Sequence, residues 1–296
     1  SRAWSNSSFV FMCSSITGGW CGSPVVGSSA IRRRRTNPRL PAVLLALQPT
    51  RRDCPCAASN PIHPDLTSEY RVRTIPLPHL NIEAPVFALG SVSFDESRRA
   101  VAFDTLDAFR SRGGKLIDSA ESYQRGQSEP VIGDWLVARG ARADVVLMAK
   151  GCFGRGSLSA DGIRAAIQGA LQRYQTDCLD LWVAHRDHQG VPVGEVVETL
   201  NAEIEEGRIR AYGLSNWSVP RLEAAIDHAT QRNLQPPSVS SLHLCLAQAK
   251  EPVWGHAQAT REDIAWHASA GIPLIAWGPL GHGFFSNQPK PYERSD

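Results

Sequence analysis

The feature that most constrains the fold of this chain is a regular alternation of short apolar runs and longer helical patterns after residue 85. Seven runs typical of buried strands cover residues 86–94, 115–120, 145–151, 179–185, 209–216, 238–246 and 273–280. Helical patterns lie between them, over residues 96–112, 128–139, 159–174, 193–206, 219–231 and 261–270. Strands that alternate with helices of this length form βα units around a parallel sheet.

The first apolar run distinguishes two arrangements of such units. An open, doubly wound sheet that binds a nucleotide carries GxGxxG after its first strand, and residues 87–94 (FALGSVSF) have no such pattern. This favours a closed (β/α)8 barrel of the TIM type. A barrel of this type needs eight strands, and seven are apparent before Asp296. We therefore expect a barrel that lacks its last βα unit and leaves its first and seventh strands with unpaired edges.

The first 80 residues differ from the rest in composition. They are rich in Ser, Arg, Pro and Gly, they have no acidic residue before Asp53, and Arg32 to Arg35 form a basic run. Such a composition is typical of an organellar transit peptide. A segment that is not natural coding sequence is the alternative, since the chain opens on Ser1. We expect residues 1–80 to be a disordered leader or artefact, and 81–296 to form an incomplete barrel domain.

Composition argues against several classes of partner. A hydrophobic fraction of 42% with 20% charged residues is typical of a globular protein, and the net charge of +2 is close to neutral. Without a basic stripe interleaved with aromatics, we expect no nucleic-acid partner. No apolar run approaches the roughly 20 residues of a membrane span. Seven scattered cysteines indicate reduced thiols, so we expect a cytoplasmic protein, or an organellar one if the leader is a targeting signal.

Four side chains of different chemistry stand where successive apolar runs end. Asp118 and Tyr123 lie in and after the second run, Lys150 closes the third, and His185 closes the fourth. The C-terminal ends of barrel strands surround a single pocket, so these groups are expected to converge. A carboxylate, a phenol, an ammonium and an imidazole in one pocket could reduce a carbonyl group.

Five segments then resemble the aldo-keto reductase family. They are IDSAESYQRGQSEPVIGDWL, VVLMAKG, TDCLDLWVAHRDH, VVETLNAEIEEGRIRAYGLSNW and IPLIAWGPLGHGFF. They occur in the order and at the spacing of the family, between Phe87 and Phe285. The resemblance implies a (β/α)8 barrel, NADP(H) as cofactor, and hydride transfer to a small aldehyde or ketone substrate.

The resemblance also assigns roles to the four side chains. Tyr123 would be the general acid, although a free phenol has a pKa of about 10. Lys150 would lower that pKa, because a nearby ammonium stabilises a phenolate. Asp118 would pair with Lys150 and keep it charged. His185 would donate a hydrogen bond to the carbonyl oxygen and orient the substrate.

Positions expected to contact the cofactor lie at the ends of the last three apolar runs. Ser241 stands where many relatives have Gln, Gly278 replaces a Ser, and Leu244 replaces an aromatic residue that stacks on the nicotinamide ring. Arg186, Asp187 and His188 follow His185 and are expected to be loop residues near the substrate mouth rather than metal ligands. The expected cofactor contacts are Ser215, Asn216, Ser241, Trp277, Gly278 and Leu280.

Functions of three classes remain open on these residues. The first is an NADPH-dependent carbonyl reductase. The second is a non-catalytic, nucleotide-binding regulatory protein on the same fold, or an inactive fragment. This second class stays open because only Lys290 and Arg294 supply cations after the seventh run, in the region where the family binds the 2′-phosphate of NADPH. The third is a barrel lyase or isomerase that uses a Lys150 Schiff base or a metal. The residues leave the oligomeric state open.

Overall fold

The computed structural model describes residues 9–14, 72–154, 158–281 and 284–285. The described strands are β1 (Phe9–Ser14), β2 (Thr74–Leu77), β3 (Ile82–Pro85), β4 (Phe87–Gly90), β5 (Leu116–Ala120), β6 (Val146–Gly151), β7 (Leu179–Ala184), β8 (Ile209–Ser215), β9 (Val239–His243) and β10 (Leu274–Trp277). The α-helices are α1 (Arg99–Ser111), α2 (Ser128–Arg139), α3 (Ala160–Tyr174), α4 (Val193–Glu205), α5 (Val219–Gln231) and α6 (Arg261–Ala270). None of the helices in these ranges is long and apolar enough to cross a membrane.

The strands close into a parallel barrel in the order β1-β10-β9-β8-β7-β6-β5-β4. All seven predicted apolar runs contain one of these strands, and all six helical patterns contain a helix. The predicted α/β fold of TIM-barrel type is therefore confirmed. Local signals set several helix ends. The Ser159 hydroxyl accepts the Gly162 N–H at 3.2 Å at the start of α3, and Thr260 and Asp263 form a capping box at α6.

The eighth position of the barrel is filled from the N-terminal part of the chain. Strand β1 pairs with β10 on one side, where Phe9 lies opposite Leu274, and with β4 on the other, where Ser14 lies opposite Gly90. The expected unpaired edges of the first and seventh strands are thus covered. Both β1 and β2 lie within residues 1–80, where the sequence pattern predicts no regular element. A single six-residue run whose partners are so distant in sequence gives no periodic signal.

A hairpin closes the end of the barrel opposite the cavity described below. Strands β2 and β3 are antiparallel, with Leu77 opposite Ile82, and His79 and Asn81 adopt positive φ in the turn between them. Ile75, Leu77 and Leu80 are buried against side chains that point into the barrel. These three side chains form an apolar plug that excludes water from this end of the barrel. The barrel interior next to the plug is lined by Leu116, Val146, Met148, Leu181, Val183, Ala211, Val239 and Ile275.

The pairing of β1 gives a testable prediction about stability. Phe11 lies between Ala276 and Phe87, so proline at this position removes a strand N–H and leaves a neighbouring carbonyl without its partner. We expect a loss of about 1–3 kcal/mol. That loss corresponds to a fall in Tm of about 2–10 °C.

Calorimetry of Phe11→Pro beside Phe11→Ile, which keeps the N–H, measures the effect of the backbone bond. If the two variants melt together, β1 contributes no pairing to the folded barrel.

Candidate active site

A cavity of about 370 Å³ opens at the C-terminal ends of the barrel strands. Its lining includes Asp118, Tyr123, Lys150 and His185, so the structure brings the four predicted side chains together. The same cavity is lined by five of the six predicted cofactor positions, namely Ser215, Asn216, Trp277, Gly278 and Leu280.

Asp118 and Lys150 form an ion pair inside the barrel. Lys150 Nζ donates to Asp118 Oδ1, and the two side chains are 2% and 1% exposed. They point inward from the neighbouring strands β5 and β6. Burial, the largest single influence, disfavours the ammonium, but the charges and hydrogen bonds of Asp118 and Tyr123 together outweigh it and raise the pKa of Lys150. Lys150 is therefore held as a cation.

Tyr123 stands directly above this pair. Its hydroxyl donates to Asp118 Oδ2 at 3.4 Å, and Lys150 Nζ lies 5.1 Å from the centroid of its ring. Tyr123 begins a short turn whose next two residues, Gln124 and Arg125, have φ of 49° and 57°. Gln124 Nε2 donates to the Val92 carbonyl at 2.7 Å, which fixes the turn to the loop after β4.

A buried hydroxyl cluster ties this turn to the barrel. The Ser128 hydroxyl, at the start of α2, lies 2.7 Å from the Ser91 hydroxyl and 2.9 Å from that of Ser119. These contacts connect the ends of β4 and β5 to α2. Tyr123 lies on the short segment between β5 and α2, so the cluster holds both ends of that segment in place.

The proton affinity of Tyr123 differs from the expectation. Burial, followed by the charge of Asp118, raises the pKa of Tyr123 to about 12. Lys150 acts in the expected direction and lowers this pKa, but its effect is the smaller one. Lys150 therefore lowers the pKa of Tyr123 as expected, but burial and Asp118 together leave that pKa above the value of a free phenol. Burial removes the water that would otherwise stabilise the phenolate.

His185 is held as a neutral imidazole. Burial, then the charges of Lys150 and Arg186, put the pKa of His185 well below its usual value. Its ring contacts Tyr123 edge-on at 6.1 Å between centroids. The His185 Nδ1 atom is buried without a hydrogen-bond partner among the described residues. The backbone N–H of His185 donates to the Gly151 carbonyl at 2.8 Å. A neutral imidazole carries one N–H, which can serve as a hydrogen-bond donor.

Asn216 joins the ends of three strands. It follows β8 in the left-handed region, with φ of 61°. Its Nδ2 donates to the His185 carbonyl at 3.1 Å and to the Ser215 hydroxyl at 3.0 Å. Its Oδ1 accepts the indole N–H of Trp277 at 3.0 Å. The amide thereby links the wall of the cavity that carries His185 to the wall that carries Trp277.

Trp277 supplies an aromatic surface to the cavity. Its ring stacks on His243 at 4.5 Å and on Trp254 at 5.6 Å between centroids. Leu244, at the position where the family pattern has an aromatic, does not line the cavity; its N–H donates to the Trp277 carbonyl at 3.2 Å. After Trp277 the chain turns at Gly278 and Gly281, with φ of 68° and 58°.

Ser241 is the predicted cofactor position that the structure does not bring to the cavity. It is buried, and its hydroxyl has no hydrogen-bond partner among the described residues. Its carbonyl accepts the Ser215 hydroxyl at 3.1 Å and the Asn216 N–H at 2.9 Å. A serine side chain is too short to reach past these neighbours, so Ser241 lies behind them.

Two aromatic lining residues were not identified from the sequence. Phe153 follows β6, and His256 follows β9 by more than ten residues. Phe153 can be identified from the sequence as a lining residue, since it comes shortly after a strand that ends in the cavity. His256 is not, because a long irregular segment gives no register to count from.

Comparison with known proteins shows the family of this chain. The model of the aldo/keto reductase family matches residues 87–295, and the chain belongs to that family. Norsolorinic acid reductase A of Aspergillus parasiticus is 28% identical over 250 residues. The norsolorinic acid reductase of Aspergillus flavus is 30% identical over 246 residues. These matches cover 76% and 75% of this chain but 60% and 58% of the relatives, so the chain spans about three fifths of their length.

Solved structures share the fold. An aldo-keto reductase from Klebsiella pneumoniae in complex with NADPH gives a TM-score of 0.62 at 24% identity, over 72% of this chain and 70% of that one. A Klebsiella pneumoniae enzyme in complex with NADP and acetate gives 0.58 at 25% identity, over 70% and 69%.

The buried ion pair predicts a pH-dependent stability. Lys150→Met leaves Asp118 buried without its counter-charge, which costs about 3–5 kcal/mol at pH 7. Burial raises the pKa of Asp118 above its unfolded value. Folding of this variant therefore favours the protonated carboxyl, and its deficit grows as the pH rises above the unfolded pKa of about 4. The deficit should shrink as the pH is lowered from 7 towards 4.

Chemical denaturation of the wild type, Lys150→Met and Asp118→Asn/Lys150→Met at several pH values measures this. The double variant has no buried charge, so it should be more stable than the single variant at pH 7. Equal stability of the two variants, with no pH dependence, would mean that the charges are not coupled.

Proposed function

We propose that this chain reduces aldehydes or ketones by hydride transfer from NADPH, with Tyr123 as the proton donor. The observation that carries the proposal is the convergence of Tyr123, Lys150, Asp118 and His185 in one cavity. Relatives named as reductases and the complexes of fold neighbours with NADPH and NADP support it. Because the chain covers only part of those relatives, the activity of the whole protein is part of the proposal.

The cavity has groups that suit a nicotinamide. The Ser215 hydroxyl oxygen and the Asn216 amide oxygen can each accept a further hydrogen bond from the carboxamide N–H, and Trp277 offers an aromatic ring. The turn from Gly278 to Leu280 brings backbone to the same wall, where a phosphate could approach closely. When bound, reduced nicotinamide supplies the hydride. Lys290 and Arg294 lie outside the described residues, so NADP(H) is proposed from the relatives.

Tyr123 is suited to give a proton to the carbonyl oxygen. A pKa of about 12 keeps the phenol protonated throughout the physiological range. The barrier to losing the proton is lowered as the phenolate forms, because the Lys150 ammonium lies 5.1 Å from the ring centroid. Asp118 keeps Lys150 in place and charged.

His185 completes the arrangement as an orienting group. As a neutral imidazole beside the Tyr123 ring it can donate one hydrogen bond to a carbonyl oxygen without competing as a proton donor. Two donors on one oxygen would polarise the carbonyl and stabilise the developing negative charge.

The same electrostatics disfavour the lyase alternative. A lysine forms a Schiff base only as the neutral amine, which requires a lowered pKa. The pKa of Lys150 is raised, and its ammonium is engaged by Asp118. This supports a role for Lys150 as a fixed cation.

Removal of the Tyr123 hydroxyl tests the proposal directly. We expect Tyr123→Phe to lower kcat/KM for NADPH-dependent reduction of benzaldehyde by about 10²–10⁴-fold, because the general acid is lost. NADPH binding, followed by nicotinamide fluorescence, should be unchanged. Tyr212→Phe is the matched control, since the Tyr212 hydroxyl is buried without a hydrogen-bond partner in the described structure.

Wild-type protein that binds NADPH but turns over no aldehyde would instead favour the regulatory alternative. Full activity of Tyr123→Phe would exclude this tyrosine as the acid.

The pH dependence of reduction follows from the same two groups. The proton on Tyr123 is lost only as the pH rises towards its pKa of about 12, and His185 stays neutral down to well below its usual range. We therefore expect kcat/KM of the NADPH-saturated protein to be flat between about pH 6.5 and 10, since neither group changes charge there. A steep fall as the pH rises from 6.5 to 10 would contradict the assignment of Tyr123, and a steep fall as the pH is lowered from 10 to 6.5 would contradict that of His185.

A further inference from the structure

Arg186 places a cation on the wall of the cavity beside the reacting groups. It follows His185 directly after β7 and lines the cavity. Its guanidinium lies over the Phe153 ring, 4.0 Å from the centroid, and its Nη2 donates to the Trp254 carbonyl at 3.4 Å. The Nε atom is buried without a hydrogen-bond partner among the described residues.

The charge of Arg186 is not neutralised within the described parts of the chain. No carboxylate there lies within 4.0 Å of its guanidinium, although its neighbour in sequence is an aspartate. That aspartate, Asp187, is paired with Arg221 at 2.7 Å, and the Arg221 guanidinium in turn lies over Trp217. A guanidinium on a cavity wall without a carboxylate partner is available for charge-assisted hydrogen bonds with an anionic ligand.

Two exposed aromatic side chains line the same cavity as this cation. Phe153 is 40% exposed and Trp254 is 62% exposed, although both are large apolar side chains at the cavity. Exposed aromatic rings that face a cavity are suited to pack against a flat apolar ligand. The wall therefore combines a planar apolar surface with a fixed positive charge.

We propose that Arg186 selects aromatic carbonyl substrates that carry an anionic oxygen, a carboxylate or a phenolate, by forming a charge-assisted hydrogen bond with it. The proposal rests on the proposed function, because it assumes that the substrate carbonyl lies at Tyr123 and His185. Since Arg186 is adjacent to His185, a ring that places its carbonyl at His185 can bring a substituent to the guanidinium. The aromatic ring packs between Phe153 and Trp254.

A matched pair of substrates isolates the charge. The two aldehydes 4-carboxybenzaldehyde and methyl 4-formylbenzoate have similar shape, and only the first is anionic. For the wild type we expect the anionic aldehyde to have the lower KM. Arg186→Gln should raise the KM for the anionic aldehyde by about 10–100-fold, as for loss of a hydrogen bond to a charged group. The KM for the ester and the kcat for both substrates should change by less than about 3-fold, within the scatter of single contacts.

Two further variants separate recognition from structure. Arg186→Lys should recover part of the preference, because it keeps the charge but loses the fork of donors. Arg164→Gln removes an equal charge from α3, where Arg164 is half exposed and paired with Asp161, and should leave the preference unchanged. If Arg186→Gln raises the KM for both aldehydes equally, Arg186 shapes the cavity without recognising charge, and the proposal is overturned.

A binding measurement keeps this test apart from catalysis. Quenching of tryptophan fluorescence by terephthalate and by dimethyl terephthalate requires no turnover, and Trp254 and Trp277 line the cavity. Terephthalate should bind the wild type more tightly than Arg186→Gln does, and the diester should not distinguish them. If neither aldehyde is reduced but this difference is found, the proposed reductase activity fails while the anion site stands. Equal binding of terephthalate to both proteins would overturn the proposal.

Discussion

Asp118 and Lys150 carry opposite charges into the barrel, where each is at most 2% exposed. Two such charges are tolerated in an apolar interior only when they satisfy one another. Their pairing requires that β5 and β6 keep the register that places Asp118 and Lys150 at the same end of the barrel. The position of Tyr123 follows from that register, because the turn that carries it leaves the end of β5. The buried ion pair and the strand register that it requires thus determine where Tyr123 lies.

Opposing influences set the proton affinity of Tyr123. Burial and Asp118 hold the proton on the phenol, while Lys150 favours its departure. Asn216 adds a mechanical link, since its amide joins His185, Ser215 and Trp277. A single side chain thus contacts both walls of the cavity.

Much of this arrangement is visible in the sequence. The alternation of apolar and helical segments predicts the barrel, and the strand-end positions of Asp118, Lys150 and His185 predict their convergence, because parallel strands share one edge. Sequence reasoning failed where the structure depends on distant or irregular segments. The six residues of β1 carry no periodicity that reveals partners at β4 and β10. The net pKa of Tyr123 depends on how much water burial excludes, which a list of neighbouring charges does not contain. Ser241 lies behind its neighbours because its side chain is too short to contact the cavity, although its sequence position matches that of a cofactor contact in the family.

The origin of β1 also sets the order in which the barrel can be completed. Phe9 lies opposite Leu274, so the pair is separated by nearly the whole described chain. During synthesis β1 emerges before the other described strands, and one of its two partners, β10, emerges after them. Contacts between such distant segments pay a large loop-closure entropy and slow folding. The pairing of β1 with β10, and with it the closure of the ring, cannot form until β10 has been synthesised.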